Sequence, residues 1–128
     1  MQLVEEYSAT QPPIDGIGDD WLSIGGRRWQ ESVMLAPERV EAWSCRQLDA
    51  LDPAAFAAAI EIQPEVLLLA TGTRLRFPST ALRMELQRQG LGLEVMDHRG
   101  AARTYNLLVS EGRRVVALFL IEPTDSRQ

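Results

Sequence analysis

The sequence predicts an α/β fold: an antiparallel meander of short strands, then a β-α-β-α-β run, giving a mixed sheet with helices packed on it. Three observations predict it. Glycine turns punctuate residues 14–43 into short pieces rich in β-branched and aromatic residues. Past residue 50, capped helical patterns alternate with apolar runs. Those runs are continuous rather than alternating, as strands covered on both faces require.

The elements follow in order. Residues 1–13 read as a loose arm ending in Pro12 and Pro13. "DGIGDD" and "IGGRR" are turns, and "WLSI", "RRWQESVML" and, after Pro37, "RVEAW" are strand segments. "LDPAAFAAAIEI" places Asp52 at an N-cap and Pro53 at the first helical position of an alanine-rich helix that stops before Pro64. "EVLLLAT" is a strand, and "PSTALRMELQRQG" a helix capped by Ser79 or Thr80 and stopped at Gly90. "LGLEVM" is a strand, "RGAARTYNLLVSEG" a helix stopped by Gly112, and "RRVVALFLI" the last strand before Pro123. The spans are an arm (1–13), one α/β domain (14–122) and a polar tail (123–128). The strand–helix alternation implies right-handed crossovers between parallel neighbours.

Composition narrows the function classes. A chain of 128 residues with 45% hydrophobic and 24% charged residues is one ordinary domain. The net charge of −5 argues against general nucleic-acid or anionic-membrane binding. All 13 basic residues are arginine, so Schiff-base chemistry, a P-loop lysine and a lysine base are excluded. One cysteine forms no internal disulfide, the N-terminus carries no apolar signal segment, and no run reaches a membrane span of about 20 residues. The expected location is the cytoplasm.

Ligands in open α/β sheets sit beyond the carboxyl ends of the parallel strands. Here those ends are "ATGTR" and "MDHRG". At the first, Gly72 permits a tight turn before Thr73, Arg74 and Arg76; at the second, Asp97 and His98 precede a helix. In that helix Ala101, Tyr105 and Leu108 share an apolar face, while Arg99, Arg103, Asn106 and Ser110 form a polar stripe. The stripe reads either as a solvated face or as one wall of a crevice with Arg74, at a helix start that favours negative charge. The candidate ligand residues are therefore Gly72, Thr73, Arg74, Asp97, His98, Arg103 and Asn106.

The pattern "ATG…FPS…L…GLEVMDHRGAARTYNLLVSEGRRVVALFL", with "IDGIGDDWLSIGGRRWQESVMLAP" and "AW" upstream, resembles a small α/β family. It includes mitochondrial complex I assembly factor 3 and the adipogenesis-associated domain proteins, and its many bacterial members have no assigned activity. The likeness covers Ile14 to Ile121. Thr71, Gly72, Arg103, Thr104, Tyr105, Asn106, Glu111, Gly112 and Arg113 match its motifs. The resemblance implies a single-domain three-layer β/β/α fold with a mixed sheet, and carries over no catalytic residue. Ala70 stands where the family's turn often has glycine, His98 where threonine is usual, Gly100 for an alanine and Ala102 for a common cysteine. A threonine there reads as a helix cap, a task open to Asp97 as well. His98 thus reads first as a helix-start residue, with an anion contact or an acid–base role as alternatives.

Other chemistry finds little support. Cys45 reads as a packed thiol, and a Cys–His pair requires it to meet His98 in space. Four N/S ligands for a structural zinc do not exist, and no spacing marks a carboxylate metal site, "GDD" reading as a hairpin turn; no metal or cofactor is expected. Trp21, Trp29 and Trp43 are expected in strands, packed in the core or between layers. The chain is expected to be a non-enzymatic interaction or assembly-factor-like protein with a protein partner. The alternative is a small-anion or metabolite binding protein, or a weak enzyme, using an arginine-lined crevice. An unpaired strand edge in the meander half leaves a homodimer open.

Overall fold

The computed structural model describes residues 11–123. Strands β1 (Ile14–Ile17), β2 (Leu22–Ile24) and β3 (Arg27–Trp29) form a three-stranded antiparallel sheet. Strands β4 (Val33–Ala36), β5 (Arg39–Ala42), β6 (Val66–Ala70), β7 (Leu93–Met96) and β8 (Val115–Phe119) form a five-stranded mixed sheet ordered β5-β4-β8-β6-β7. Helices α1 (Ala57–Ile62), α2 (Thr80–Arg88) and α3 (His98–Ser110) cover it.

The expected meander is therefore split between two sheets. β2 and β3 bury only part of their residues, whereas Val33–Ala36 are all buried. A strand covered on both faces belongs inside the larger sheet, and β4 pairs β5 on one side and β8 on the other, both antiparallel. β8 and β7 flank β6 in parallel, as the β-α-β-α-β pattern predicts.

Handedness places the helices. β6 to β7 steps outward across the sheet, and β7 to β8 steps back past β6. Two right-handed crossovers in opposite directions need their helices on opposite faces. α3 indeed packs with the small sheet: Ala101, Ala102, Tyr105 and Val109 join Ile14, Leu22, Ile24 and Trp29 over Leu68, Ala117 and Phe119. α1 and α2 take the other face, where Phe56, Ala59, Leu82 and Leu86 meet Met34, Leu67, Leu69, Val116 and Leu118. The small sheet, the large sheet and the α1–α2 side make the three layers, with α3 lying beside the small sheet rather than among the other helices.

Local chemistry sets the ends. Asp52 accepts from Ala55 N at 3.1 Å, but the segment after it opens as a 3-10 turn (Pro53–Phe56) and becomes α-helical only at Ala57. Ser79 is the cap of α2, accepting from Leu82 N at 3.1 Å. Trp29 lies in β3, while Trp21 and Trp43 sit one residue outside β2 and β5. Trp43 is buried against Phe56 and donates to Ala55 O, whereas half-buried Trp21 lies under the Arg28 guanidinium. Of the expected loose arm, residues 1–10 lie outside the described residues. Gln11 is buried and donates to Val115 O, and Pro12 O accepts from the Tyr105 hydroxyl, so these two residues are tied to the domain.

Candidate functional site

The three parallel strands end together. The chain leaves β6 toward α2 on one face and β7 toward α3 on the other, so a crevice opens where the two connections part. A cleft of about 640 Å³ lies there, lined by Thr71–Arg74, Arg76, His98, Leu120–Glu122 and the Asp19–Asp20 turn of the small sheet.

Backbone bonds lace its floor. Thr71 N donates to Met96 O, Leu120 N to Ala70 O and His98 N to Gly72 O (2.7 Å). Gly72 holds φ at 110°, a backbone conformation that L side chains rarely adopt. The Thr71 hydroxyl donates to Arg74 O at 2.8 Å and accepts from Arg76 N at 3.1 Å, closing the loop on itself. Arg76 Nη2 donates both to Thr71 O and to Glu122 Oε1 (2.9 Å), and Glu122 Oε2 accepts from Leu48 N.

His98, only 2% exposed, presses its ring on Phe119. Burial, aided by the Arg76 charge, holds its pKa below the ordinary value against the opposing effects of the Leu120 carbonyl and Asp97, so the ring is neutral at pH 7. Nε2 lies 3.0 Å from Leu120 O, and a carbonyl only accepts, so Nε2 carries the proton. Nδ1 is then a bare acceptor, buried and without a partner among the described residues. Asp97 caps α3 by accepting from Gly100 N at 2.8 Å. A Cβ at position 100 would come within 2.9 Å of that carboxylate, so the glycine accompanies the cap.

Of the candidate residues, the fold brings Gly72, Thr73, Arg74 and His98 to this cleft, with Asp97 beside it as the cap. Arg103 and Asn106 lie elsewhere, in a shallow groove between α3 and β1. There Asn106 Oδ1 accepts from Ile14 N and Nδ2 donates to Ile14 O, both at 2.9 Å. The sequence reading missed Thr71, Glu122 and the Asp19–Asp20 turn as cleft walls. Thr71 and Glu122 follow parallel strands closely enough for the strand-end rule to have found them. Asp19 and Asp20 come from the other sheet, and no local pattern announces that contact.

The cleft is not an arginine trap. Asp19, Asp20 and Glu122 outnumber Arg74 and Arg76, and Arg76 is already paired with Glu122. No hydrogen bond joins His98 to a hydroxyl or thiol among the described residues. Cys45 lines a separate cleft beside Pro123 and packs into the α1–α2 core, its thiol pushed up by burial. Among the described residues, no group of three or more His, Cys, Asp or Glu side chains is placed to hold a metal, and no helix is long and apolar enough to cross a membrane.

Known proteins share this architecture. An uncharacterized protein of Rhodobacter capsulatus is 33% identical over 111 residues, covering 87% of this chain and 86% of that one. NADH dehydrogenase [ubiquinone] 1 alpha subcomplex assembly factor 3 of Homo sapiens is 26% identical over 125 residues, covering 96% of this chain and 67% of its own length. A crystal structure of a Bordetella parapertussis protein superposes with a TM-score of 0.80 at 32% identity, over 88% of this chain and 98% of that chain. The family model described as "Protein of unknown function (DUF498/DUF598)" matches residues 14–120. Matched along nearly its whole described length, the chain belongs to that DUF498/DUF598 family.

Proposed function

We propose that the chain is a non-catalytic interaction protein of the assembly-factor type, working in the cytoplasm and holding another polypeptide while a larger complex is built. One observation carries the reading. Leu75, Phe77 and Met84 are 51%, 55% and 53% exposed and fall within one loop–helix segment, while the only other exposed large apolar residue among those described is Leu107. Concentrated exposed apolar surface on a folded domain marks a site of association. The human relative's name adds a partner class: by likeness, a component of an NADH dehydrogenase alpha subcomplex.

A small anion held by arginines has weaker support. Arg76 is neutralised, Arg103 stands in another groove, and the unpaired Nδ1 of His98 accepts hydrogen bonds rather than donating them.

The test is crosslinking in the native host with a tagged chain, beside a deletion strain. The expected result is one recurrent crosslinked polypeptide, lost in a Leu75→Glu, Phe77→Glu, Met84→Glu variant, and less assembled NADH dehydrogenase in the deletion strain. A triple variant that keeps every crosslink, or unchanged enzyme levels after deletion, would refute the reading.

A further inference from the structure

The large sheet ends at β7, which pairs only with β6 among the described strands. Met96 O accepts from Thr71 N, so Met96 turns its backbone groups toward β6. Backbone direction alternates along a strand, so Glu94 turns the same way, and Leu93 and Val95 direct their N–H and C=O groups outward at the open edge.

Beside that edge runs a groove of about 410 Å³, lined by Thr80, Arg83, Met84 and Gln87 of α2 and by Leu91, Gly92 and Leu93. Its apolar walls are half-exposed Met84 and the side chains of Leu91 and Leu93. Arg83 reaches 5.0 Å from the Phe77 ring and has no carboxylate partner among the described residues. Among the described residues, an unpaired strand edge, a mixed groove with apolar walls at Met84, Leu91 and Leu93, and a guanidinium without a carboxylate partner thus lie side by side.

We propose that β7 accepts an extended segment of the partner protein as an added strand, with an apolar side chain between Met84 and Leu93 and an acidic residue on Arg83. This rests on the reading of the chain as an interaction protein and names its surface. Main-chain bonds to an open edge supply affinity, and alternate side chains entering a groove supply selectivity. Arg83 selects an acidic segment. A second copy fits less well. Antiparallel self-pairing that uses both outward-facing residues sets Leu93 against Val95, which places Glu94 opposite its own copy with backbones about 4.5 Å apart.

The probe is a phage-displayed library of random dodecapeptides, selected on the whole protein. The expected binders alternate apolar and polar residues with a period of two and carry an acidic residue. Binding should fall at least about tenfold in Arg83→Glu, the loss of one charge-assisted contact. It should fall similarly in Val95→Pro, which removes an outward N–H and no ladder bond, so that the melting temperature changes little. Amide exchange at Leu93 and Val95 should slow on binding. Binders with a helical period, binders without acidic bias, an empty selection, or indifference to Arg83→Glu would each overturn the proposal. A dimer in sedimentation that Val95→Pro dissociates would assign the edge to a second copy and overturn it too. If the crosslinks in cells persist while this selection fails, the surface is wrong and the interaction reading stands.

Discussion

Replacing Asn106 by alanine separates a structural role from a ligand-binding one. Its amide mimics one peptide unit of a neighbouring strand, bonding both the N–H and the C=O of Ile14 at 2.9 Å. Ile14 is 7% exposed, so water replaces those partners poorly. Each lost bond is worth about 1 kcal/mol net, and a buried group left unpaired costs about 1–3 kcal/mol. Water reaching the shallow groove from the α3 side reduces the upper end, leaving about 2–4 kcal/mol. An unfolding entropy of about 2.1 cal/mol/K per residue gives about 4 °C per kcal/mol for a chain this long, hence a drop of about 7–15 °C. Urea unfolding reads the same change as a lower midpoint with an unchanged slope. A loss below about 1 kcal/mol would refute the clamp. A stable Asn106→Ala protein that had lost binding to an anionic metabolite would return the residue to a ligand site.

Three other substitutions and titrations test the cleft and the core. The unfolded His98 takes up a proton as pH falls through 6.5, while the buried ring resists until lower pH, so the unfolded state is favoured across that window. Wild type should therefore lose stability more steeply than His98→Gln as pH falls below 6.5, and parallel melting curves would contradict the burial. Gly72→Ala should cost about 1–3 kcal/mol because φ is 110° there, whereas Gly92→Ala, with nothing within 4 Å of the added methyl, should cost nothing; equal melting temperatures would contradict the turn geometry. Cys45 should react with a thiol reagent far more slowly in the native protein than in urea, and equal rates would mean that the site opens freely.

The sequence carried the second half of the fold almost whole. Period, caps and glycine stops are local signals, and Asp97, Ser79 and Gly112 act within four residues of what they terminate. The division of the meander was not legible in the same way. It depends on Val33–Ala36 being buried on both faces, which is set by β8 arriving some eighty residues later. The polar stripe of α3 shows the same limit. Helical spacing put Arg103 and Asn106 on one face, but which neighbour that face meets is decided by crossover handedness. The stripe meets an edge strand, so Asn106 finds Ile14 where the sequence reading placed a ligand. The strand-end rule did locate the cleft, because the position of a switch point follows from strand order alone.

How each region uses its polar groups then bears on function. In the cleft, the strand ends are bonded to one another, Arg76 to Glu122, the Thr71 hydroxyl to its own loop and His98 to the Leu120 carbonyl. A ligand entering there would compete with bonds already made, and it would meet a neutral ring whose one open atom is an acceptor. On the α2–β7 side the Arg83 guanidinium only overlies the Phe77 ring at 5.0 Å. Leu75, Phe77 and Met84 are about half exposed, and among the described residues Arg83 has no carboxylate partner and two residues of β7 face outward without a strand to bond. Free energy is available where groups are still solvated and uncompensated, so association at the sheet edge has more to gain than binding in the cleft.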